Sequence, residues 1–318
     1  MTGTTLIIGA AGQVGSELTA TLRESYSPST IIASDVKDPP EYVKESGPFY
    51  ELDVLNKEQI AKIIQENNVT EIYNLAALLS ATAEEKPMFG WDLNMNGLLN
   101  TLNLAKDNGI KRVFWPSSIA VFGPSTPKNN TPQTTIMDPN TVYGISKLAG
   151  ERWCNYYFEK YGVDTRSIRY PGLISYKTEP GGGTTDYAVD IFHQALDNEQ
   201  YTCFLNNDTL LPMLYMPDAI RGTIELMEAK TEQLSIKSSY NLAGFSFSPK
   251  MLADAIKQHI PNFSIDYQPD FRQSIAESWP SIIDDTVAKQ DWNWEPAFSI
   301  DDMVKDMIAN LKNARIKQ

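Results

Sequence analysis

A doubly wound parallel α/β sheet with a smaller C-terminal lobe is the fold class this sequence predicts. Three observations carry it. Short β-branched runs alternate with longer helical patterns from residue 4 to about 169, the glycine-rich turn Gly9-Ala-Ala-Gly12-Gln-Val-Gly15 joins the first run to the first helical pattern, and the alternation breaks down after residue 169. Strand-helix alternation of this kind predicts a parallel sheet covered on both faces.

Element by element, the runs from Thr5 to Ile8, Ile31 to Ser34, Ile72 to Leu75, Arg112 to Trp115 and Thr165 to Arg169 read as buried strands. Apolar residues at helical spacing predict helices from Gln13 to Glu24, Lys57 to Asn67, Met88 to Asn108 and Val142 to Tyr161, and Gly109 sits where a left-handed helix end is wanted. Beyond residue 169 come the Gly181-Gly182-Gly183 tract, Pro212 and Pro217, short strands from Ser239 to Leu242 and Ser264 to Tyr267, and helices near Lys250 to His259 and Ile300 to Lys312. The expected division is a dinucleotide-binding domain over 1–169 and a mainly substrate-binding lobe over 170–318, with some segments returning to the main sheet.

At 318 residues, 42% of them hydrophobic and 21% charged, the chain has ample material for a core and the composition of an ordinary globular protein. A formal net charge of −13 has the wrong sign for non-specific attraction to a phosphate backbone or an anionic membrane, so neither is an expected partner. The opening Met1-Thr-Gly-Thr-Thr runs into an apolar strand without a basic region, and no stretch nears the about eighteen apolar residues of a membrane span, so a soluble cytoplasmic protein is expected. Cys154 and Cys203 make neither a disulfide framework nor a ligand cluster, and with His193 and His259 as the sole imidazoles no metal site is expected.

The glycine turn follows a strand and opens a helix. In that setting glycines permit a tight turn, close approach of backbone to a pyrophosphate and close helix packing, while the helix N-terminal amides face the phosphates. The spacing is GxxGxxG rather than GxGxxG, and alone it also describes a plain strand-to-helix connection. Asp35, twenty residues after Gly15 at the end of the second strand, adds a carboxylate able to accept from adenine ribose hydroxyls. A 2′-phosphate there would meet a like charge, and Lys37 is the only nearby cation, so NAD is expected over NADP. The competing reading of Asp35 is a turn carboxylate ahead of Asp38-Pro39-Pro40.

Tyr143 and Lys147 lie four apart on a predicted helix and share a face, so the ammonium can bias the phenol towards phenolate. A phenol of pKa about 10 needs lowering by roughly 2 to 3 units to act as a base near neutrality. A cation about 4 Å away at an effective dielectric of about 20 supplies roughly 4 kcal/mol, which suffices. The same spacing recurs at Tyr156 and Lys160, but thirteen residues put Tyr156 on another face, inside an aromatic cluster better explained as packing. Ser117 and Ser118 follow the fourth strand at its carboxyl end, where a serine hydroxyl can donate to a substrate oxygen while Tyr143 takes its proton.

With Asp53-Val54, Asn74-Leu-Ala-Ala77, Asn94-Met-Asn-Gly97 and Ser117-Ser-Ile-Ala-Val-Phe-Gly123 added, these motifs resemble the extended short-chain dehydrogenase/reductase superfamily. More narrowly, Arg169-Tyr-Pro-Gly-Leu-Ile-Ser175, Pro180-Gly-Gly-Gly-Thr-Thr-Asp-Tyr-Ala-Val-Asp190, Leu211-Pro-Met-Leu-Tyr-Met-Pro-Asp218 and Ser278-Trp-Pro-Ser-Ile-Ile-Asp284 resemble the short-chain-type L-threonine 3-dehydrogenases, relatives of UDP-galactose 4-epimerase. The likeness spans essentially the whole chain. It implies NAD-dependent oxidation of L-threonine at its β-carbon to 2-amino-3-ketobutyrate, with Tyr143 as base, Lys147 tuning it and holding the nicotinamide ribose, and Ser118 orienting the hydroxyl.

The same resemblance implies cofactor contacts from Gly9, Gly12, Gln13, Val14, Gly15, Asp35, Asp53, Val54, Leu75, Ala76, Ala77, Tyr170 and Pro171. Ser80, Thr184, Thr185 and Asp186 would contact the amino acid beside Ser118 and Tyr143. From sequence alone, Thr184, Thr185 or Asp186 equally reads as a cap on the following helix. Asp186 beside three glycines nonetheless offers a substrate ammonium an acceptor on a loop able to close. Relatives pair through a four-helix bundle, so a homodimer through the helices from Met88 to Asn108 and Val142 to Tyr161 is expected. Phe122 departs from the tyrosine of many epimerases, but the aromatic body remains.

The principal rival is a nucleotide-sugar epimerase or dehydratase, whose second lobe must hold a pyrophosphate and so wants several cations. Between Tyr170 and Ala229 only Lys177 and Arg221 occur, which favours a substrate without phosphate. A dinucleotide sensor without chemistry has no need of Tyr143, Lys147 and Ser118 together.

Overall fold

Thr4–Ile8 (β1) is buried along nearly its whole length, as a strand must be when neighbours flank it and helices cover both faces. In the computed structural model, which describes residues 3–181 and 183–316, two compact units divide the chain. One comprises residues up to Val121, Asn140–Arg169 and Ile220–Tyr240; the other comprises Phe122–Pro139, Tyr170–Ala219 and residues from Asn241 onward.

After β1 the first unit continues with Gln13–Ser25 (α1), Ile31–Asp35 (β2), Glu41–Glu45 (α2), Phe49–Glu51 (β3), Lys57–Asn67 (α3) and Val69–Asn74 (β4). Ser80–Glu85 (α4), Pro87–Asn108 (α5), Arg112–Phe114 (β5), Ser117–Ser118 (β6), Val142–Tyr161 (α6) and Thr165–Arg166 (β7) follow. Six strands form one sheet in the order β3-β2-β1-β4-β5-β7, every pairing parallel. The chain winds outward from β1 to β3, returns to β4 beside β1, and winds the other way. That reversal is where open α/β sheets place ligands, at the strands' carboxyl ends. The doubly wound class expected from the sequence is therefore the one observed.

Leu6, Ile8, Ile32, Ile60, Ile64, Ile72, Leu98, Leu102, Val113 and Trp115 belong to one core cluster, which ties sheet strands to α3, α5 and α6. Its burial supplies roughly 1.5–3 kcal/mol per large side chain, the dominant favourable contribution to folding. Helix α5 ends where Gly109 turns left-handed, at φ +64°, as its position after the apolar pattern predicts. Helix α6 starts where the Thr141 side chain accepts the Gly144 amide.

Two local expectations change. The three-residue, partly exposed β3 adds a sheet edge too short to leave a periodic signal. The run from Thr165 to Arg169 is two strands: β7 belongs to the main sheet, and after Ser167 the chain enters Ile168–Tyr170 (β8), which lies beside β6.

In the second unit, Gly172–Ile174 (β9) pairs in parallel with Leu211–Tyr215, which pairs antiparallel with Phe245–Phe247. Tyr187–Asp197 (α7) leads into Gln200–Cys203, which pairs in parallel with the expected strand Ser264–Tyr267. The predicted C-terminal helices are Pro249–Lys257 and Ile300–Ile316. Among the described residues, no helix is long and apolar enough to cross a membrane.

Candidate active site

The glycine turn is shaped by close backbone approaches. Gly9 has φ +89°, its amide and that of Ala10 both donate to the Ser34 carbonyl at 2.9 and 3.0 Å, and a Cβ there would lie 2.7 Å from the Ala76 nitrogen. A Cβ on Gly15 would lie 2.1 Å from the Gly9 carbonyl oxygen. Both positions exclude any other residue. Gly12 differs, because its nearest neighbour would be the Gly9 oxygen at 3.4 Å, so the protein itself leaves room there. The N-terminus of α1 has no side-chain cap, and the amides of its first turn, Gln13 and Val14 included, have no intrahelical acceptor.

Asp35 closes β2 and faces this turn. Its Oδ2 accepts the Ala11 amide at 2.9 Å and its Oδ1 the Lys37 amide at 3.0 Å, leaving a second lone pair on each oxygen for a ribose hydroxyl. Leu75, Ala76 and Ala77 follow β4, where the Leu75 amide donates to Ile8 and all three residues stay partly exposed. Asp53 is exposed and binds the Leu55 amide at 2.9 Å, while Val54 is buried where a Cβ on Gly97 would come within 2.9 Å of it. An uncapped helix end, vacant space at Gly12 and a carboxylate across the turn fit a dinucleotide.

Ser118, Tyr143 and Lys147 meet at the carboxyl end of β5 and β6. The Ser118 hydroxyl, which accepts the Ala120 amide at 3.2 Å, is close enough to the Tyr143 phenol to lower its pKa. Lys147 Nζ donates to the Pro116 carbonyl at 2.6 Å, stands 4.3 Å above the Trp115 ring and lies 5.5 Å from the Tyr143 ring centroid. The indole can lie under α6 because position 150 is glycine; a Cβ there would sit 2.2 Å from it. The second tyrosine-lysine pair belongs elsewhere: Tyr156 is exposed and packs edge-on against Trp153 and Tyr161.

Burial pushes the Tyr143 phenol up to about 12, with the Ser118 hydroxyl pulling the other way. Burial pushes Lys147 down to about 7, opposed by the negative charge of Glu151. The expected activation of Tyr143 by Lys147 is thus not present in the protein alone. Lys147 Nζ is turned to Pro116 and Trp115, and burial is the main cause of the phenol's rise.

Sequence reading missed Asn94 as a site residue. Its Oδ1 accepts the Leu78 amide at 2.7 Å, and its Nδ2 donates to the Leu78 carbonyl and to Ser146 Oγ, which donates to the Tyr143 carbonyl at 2.7 Å. One buried amide thereby joins the loop after β4 to α5 and α6. Ser80, at the start of α4, is buried. Glu84 on the same helix accepts the Val142 amide at 2.6 Å, at the residue before Tyr143.

The remaining candidates belong to the second unit. Tyr170 and Pro171 are buried ahead of β9. Thr184 is buried, and a Cβ on Gly172 would lie 2.8 Å from Thr185 Cβ. Asp186 makes no side-chain cap on α7. It folds back so that Oδ2 accepts the Gly183 amide at 2.7 Å; Gly182 lies outside the described residues.

The description "NAD dependent epimerase/dehydratase family" matches residues 5–243. A GalE-like L-threonine dehydrogenase from Cupriavidus necator in its holo form is 55% identical, with a TM-score of 0.95 over 97% of this chain and 99% of that one. A monomeric L-threonine 3-dehydrogenase from a metagenome is 47% identical, with a TM-score of 0.94 over 98% and 99%. An uncharacterised epimerase/dehydratase of Staphylococcus saprophyticus is 46% identical over 317 residues, 98% of this chain and 99% of the relative. With the glycine turn, Asp35 and the Ser118-Tyr143-Lys147 cluster in place, the chain belongs to the NAD dependent epimerase/dehydratase family, within the extended short-chain dehydrogenases/reductases.

Proposed function

We propose that this protein is an NAD-dependent L-threonine 3-dehydrogenase that works as a cytoplasmic homodimer in threonine catabolism, with residues 1–169 chiefly holding the cofactor and 170–318 chiefly the substrate. The observation that carries the chemistry is the convergence of Ser118, Tyr143 and Lys147 at the sheet's carboxyl end, with Lys147 one helical turn beyond Tyr143 and its Nζ 5.5 Å from the phenol ring. The identity to L-threonine dehydrogenases over nearly the whole chain supports the choice of substrate.

Gly9 to Gly15 and Asp35 bind the dinucleotide, and Asp53, Val54, Leu75 to Ala77, Tyr170 and Pro171 complete its contacts. Bound NAD supplies the hydride acceptor and, in its oxidised ring, a positive charge. Ser118 Oγ donates to the β-hydroxyl oxygen of L-threonine and Tyr143 Oη takes that hydroxyl's proton, so loss of the Cβ–H with its electron pair leaves the 3-keto product. Lys147 steadies the phenolate and the nicotinamide ribose. Thr184, Thr185, Asp186 and Ser80 contact the amino acid, Asp186 exchanging its Gly183 partner for the substrate ammonium.

The decisive assay mixes protein, NAD and L-threonine and follows reduced nicotinamide, with L-serine, L-allo-threonine and UDP-galactose run beside it. Reduction with L-threonine is expected; interconversion of the UDP-sugar with silence towards every amino acid would move the chain to the epimerases. Exposed Met88, Phe89 and Trp91 on α5 and Trp153 and Tyr156 on α6 support pairing. Light scattering is expected to give the mass of two 35.6-kDa chains, and a single-chain mass would remove the dimer.

A further inference from the structure

We propose that Glu151 is the positioning residue of this site: it clamps helix α6 to the end of the sheet through Ser117 and Arg169 and places a negative charge one helical turn from Lys147, where it opposes the loss of the lysine's proton to burial. Glu151 Oε1 accepts from Ser117 Oγ at 2.6 Å and from Arg169 Nε at 2.9 Å, and Oε2 accepts from Arg169 Nη2 at 2.8 Å. All three residues are at most 2% exposed, so this is a fully enclosed, side-on carboxylate-guanidinium pair with a hydroxyl added.

Position is what turns this packing device towards the reaction. Glu151 lies one helical turn beyond Lys147 and two beyond Tyr143, so all three share a face of α6. Its partners sit on β6 and β8, and β6 also carries Ser118. The paired serines divide the work: Ser117 holds the helix through Glu151, and Ser118 meets the phenol that the same helix presents. Rotating or lifting α6 by the width of one hydrogen bond would part Ser118 from Tyr143 and Lys147 from Pro116 together.

The groups around Lys147 that can carry charge are Tyr143, Glu151 and Cys154 on its own helix, with Arg169 behind Glu151. Trp115 and Pro116 face it from the end of β5 without titrating. Burial pushes the Cys154 thiol far up, so it is neutral at any working pH. Among the described residues, Glu151 is the carboxylate whose charge opposes the loss of the Lys147 proton. Buried ion pairs are often neutral or costly for stability, which leaves a functional reason for keeping this one.

The inference rests on the reading of Tyr143 and Lys147 given above, and its test can fail separately from it. Protein carrying [ε-13C]lysine, with the Lys147 resonance assigned by Lys147→Arg, is titrated as wild type and as Glu151→Gln. The expected result is a Lys147 midpoint lower by about one unit, which leaves about a tenth as much ammonium at alkaline pH. The alkaline limb of kcat should move to lower pH, and Glu151→Asp should restore the midpoint. An unmoved midpoint in Glu151→Gln overturns the proposal. Should that variant not fold, Ser117→Ala, which keeps the ion pair, decides the clamp: an unshifted midpoint with lowered kcat is expected, and wild-type kcat overturns it. Wild-type protein that binds NAD but ignores L-threonine overturns the functional reading, and the lysine titration still decides the role of Glu151.

Discussion

The Asp35 carboxylate and the Ala11 amide are hydrogen-bonded at 2.9 Å, so the end of β2 holds the middle of the glycine turn. A residue expected to read the ribose also shapes the phosphate cradle. Asp35→Asn should therefore raise the Kd for NAD by about tenfold or more, a loss of about 1.4 kcal/mol, measured calorimetrically. Unchanged affinity would remove Asp35 from the cofactor site.

Gly12 and Gly15 separate binding from folding. Gly15→Ala drives a methyl to 2.1 Å from a carbonyl oxygen and should destabilise the fold by about 3 kcal/mol. Gly12→Ala meets nothing closer than 3.4 Å and should keep the wild-type melting temperature while losing NAD. If Gly12→Ala binds NAD normally, the pyrophosphate does not lie against that residue.

Tyr143→Phe should lower kcat by about 10²–10⁴ with NAD affinity kept, and intact turnover would end its role as base. In the cofactor-free protein the phenol is held up to about 12. Between pH 10 and about 12 the folded chain keeps a proton the unfolded chain has lost, so stability falls across that window and Tyr143→Phe should fall less steeply. Identical slopes in denaturant titrations would remove the shift.

Lys147 carries the opposite sign. Its pKa is lowered to about 7 from 10.5, so between those values the unfolded chain binds a proton that the folded chain does not, and stability rises with pH. Below about pH 7 the folded chain must hold a buried ammonium. Lys147→Met should therefore be inactive yet melt ~2–4 °C higher at pH 6, an exchange of stability for function. A lower melting temperature at pH 6 would show that the hydrogen bond to Pro116 outweighs the buried charge.

What could be read in advance was what local chemistry dictates. The strand-turn-helix at Gly9 to Gly15, the acid at the end of β2, the serine pair after β5 and the tyrosine-lysine spacing on α6 each depend on neighbours within a few residues. The three-residue β3 has no period to detect. The division of the run from Thr165 to Arg169 depends on which sheet each half joins. Glu151 reads as an ordinary helix-surface glutamate until the fold brings Ser117 and Arg169 to it, and Asn94 needs Leu78 and Ser146 beside it. The direction of the Lys147 ammonium was also tertiary, because Pro116 and Trp115 approach from the sheet.

Ser117 and Ser118 both serve helix α6, the first through Glu151 and the second beside the Tyr143 phenol. A single residue inserted ahead of them would carry Ser117 into the place of Ser118 and Ser118 beyond the phenol, leaving Glu151 without its hydroxyl partner. Two inserted residues would carry both serines about 7 Å past their partners. The segment between Arg112 and Ser118 is thus fixed in length as well as in composition, and insertion scanning should find it closed to every indel while loops on the opposite edge of the sheet accept them.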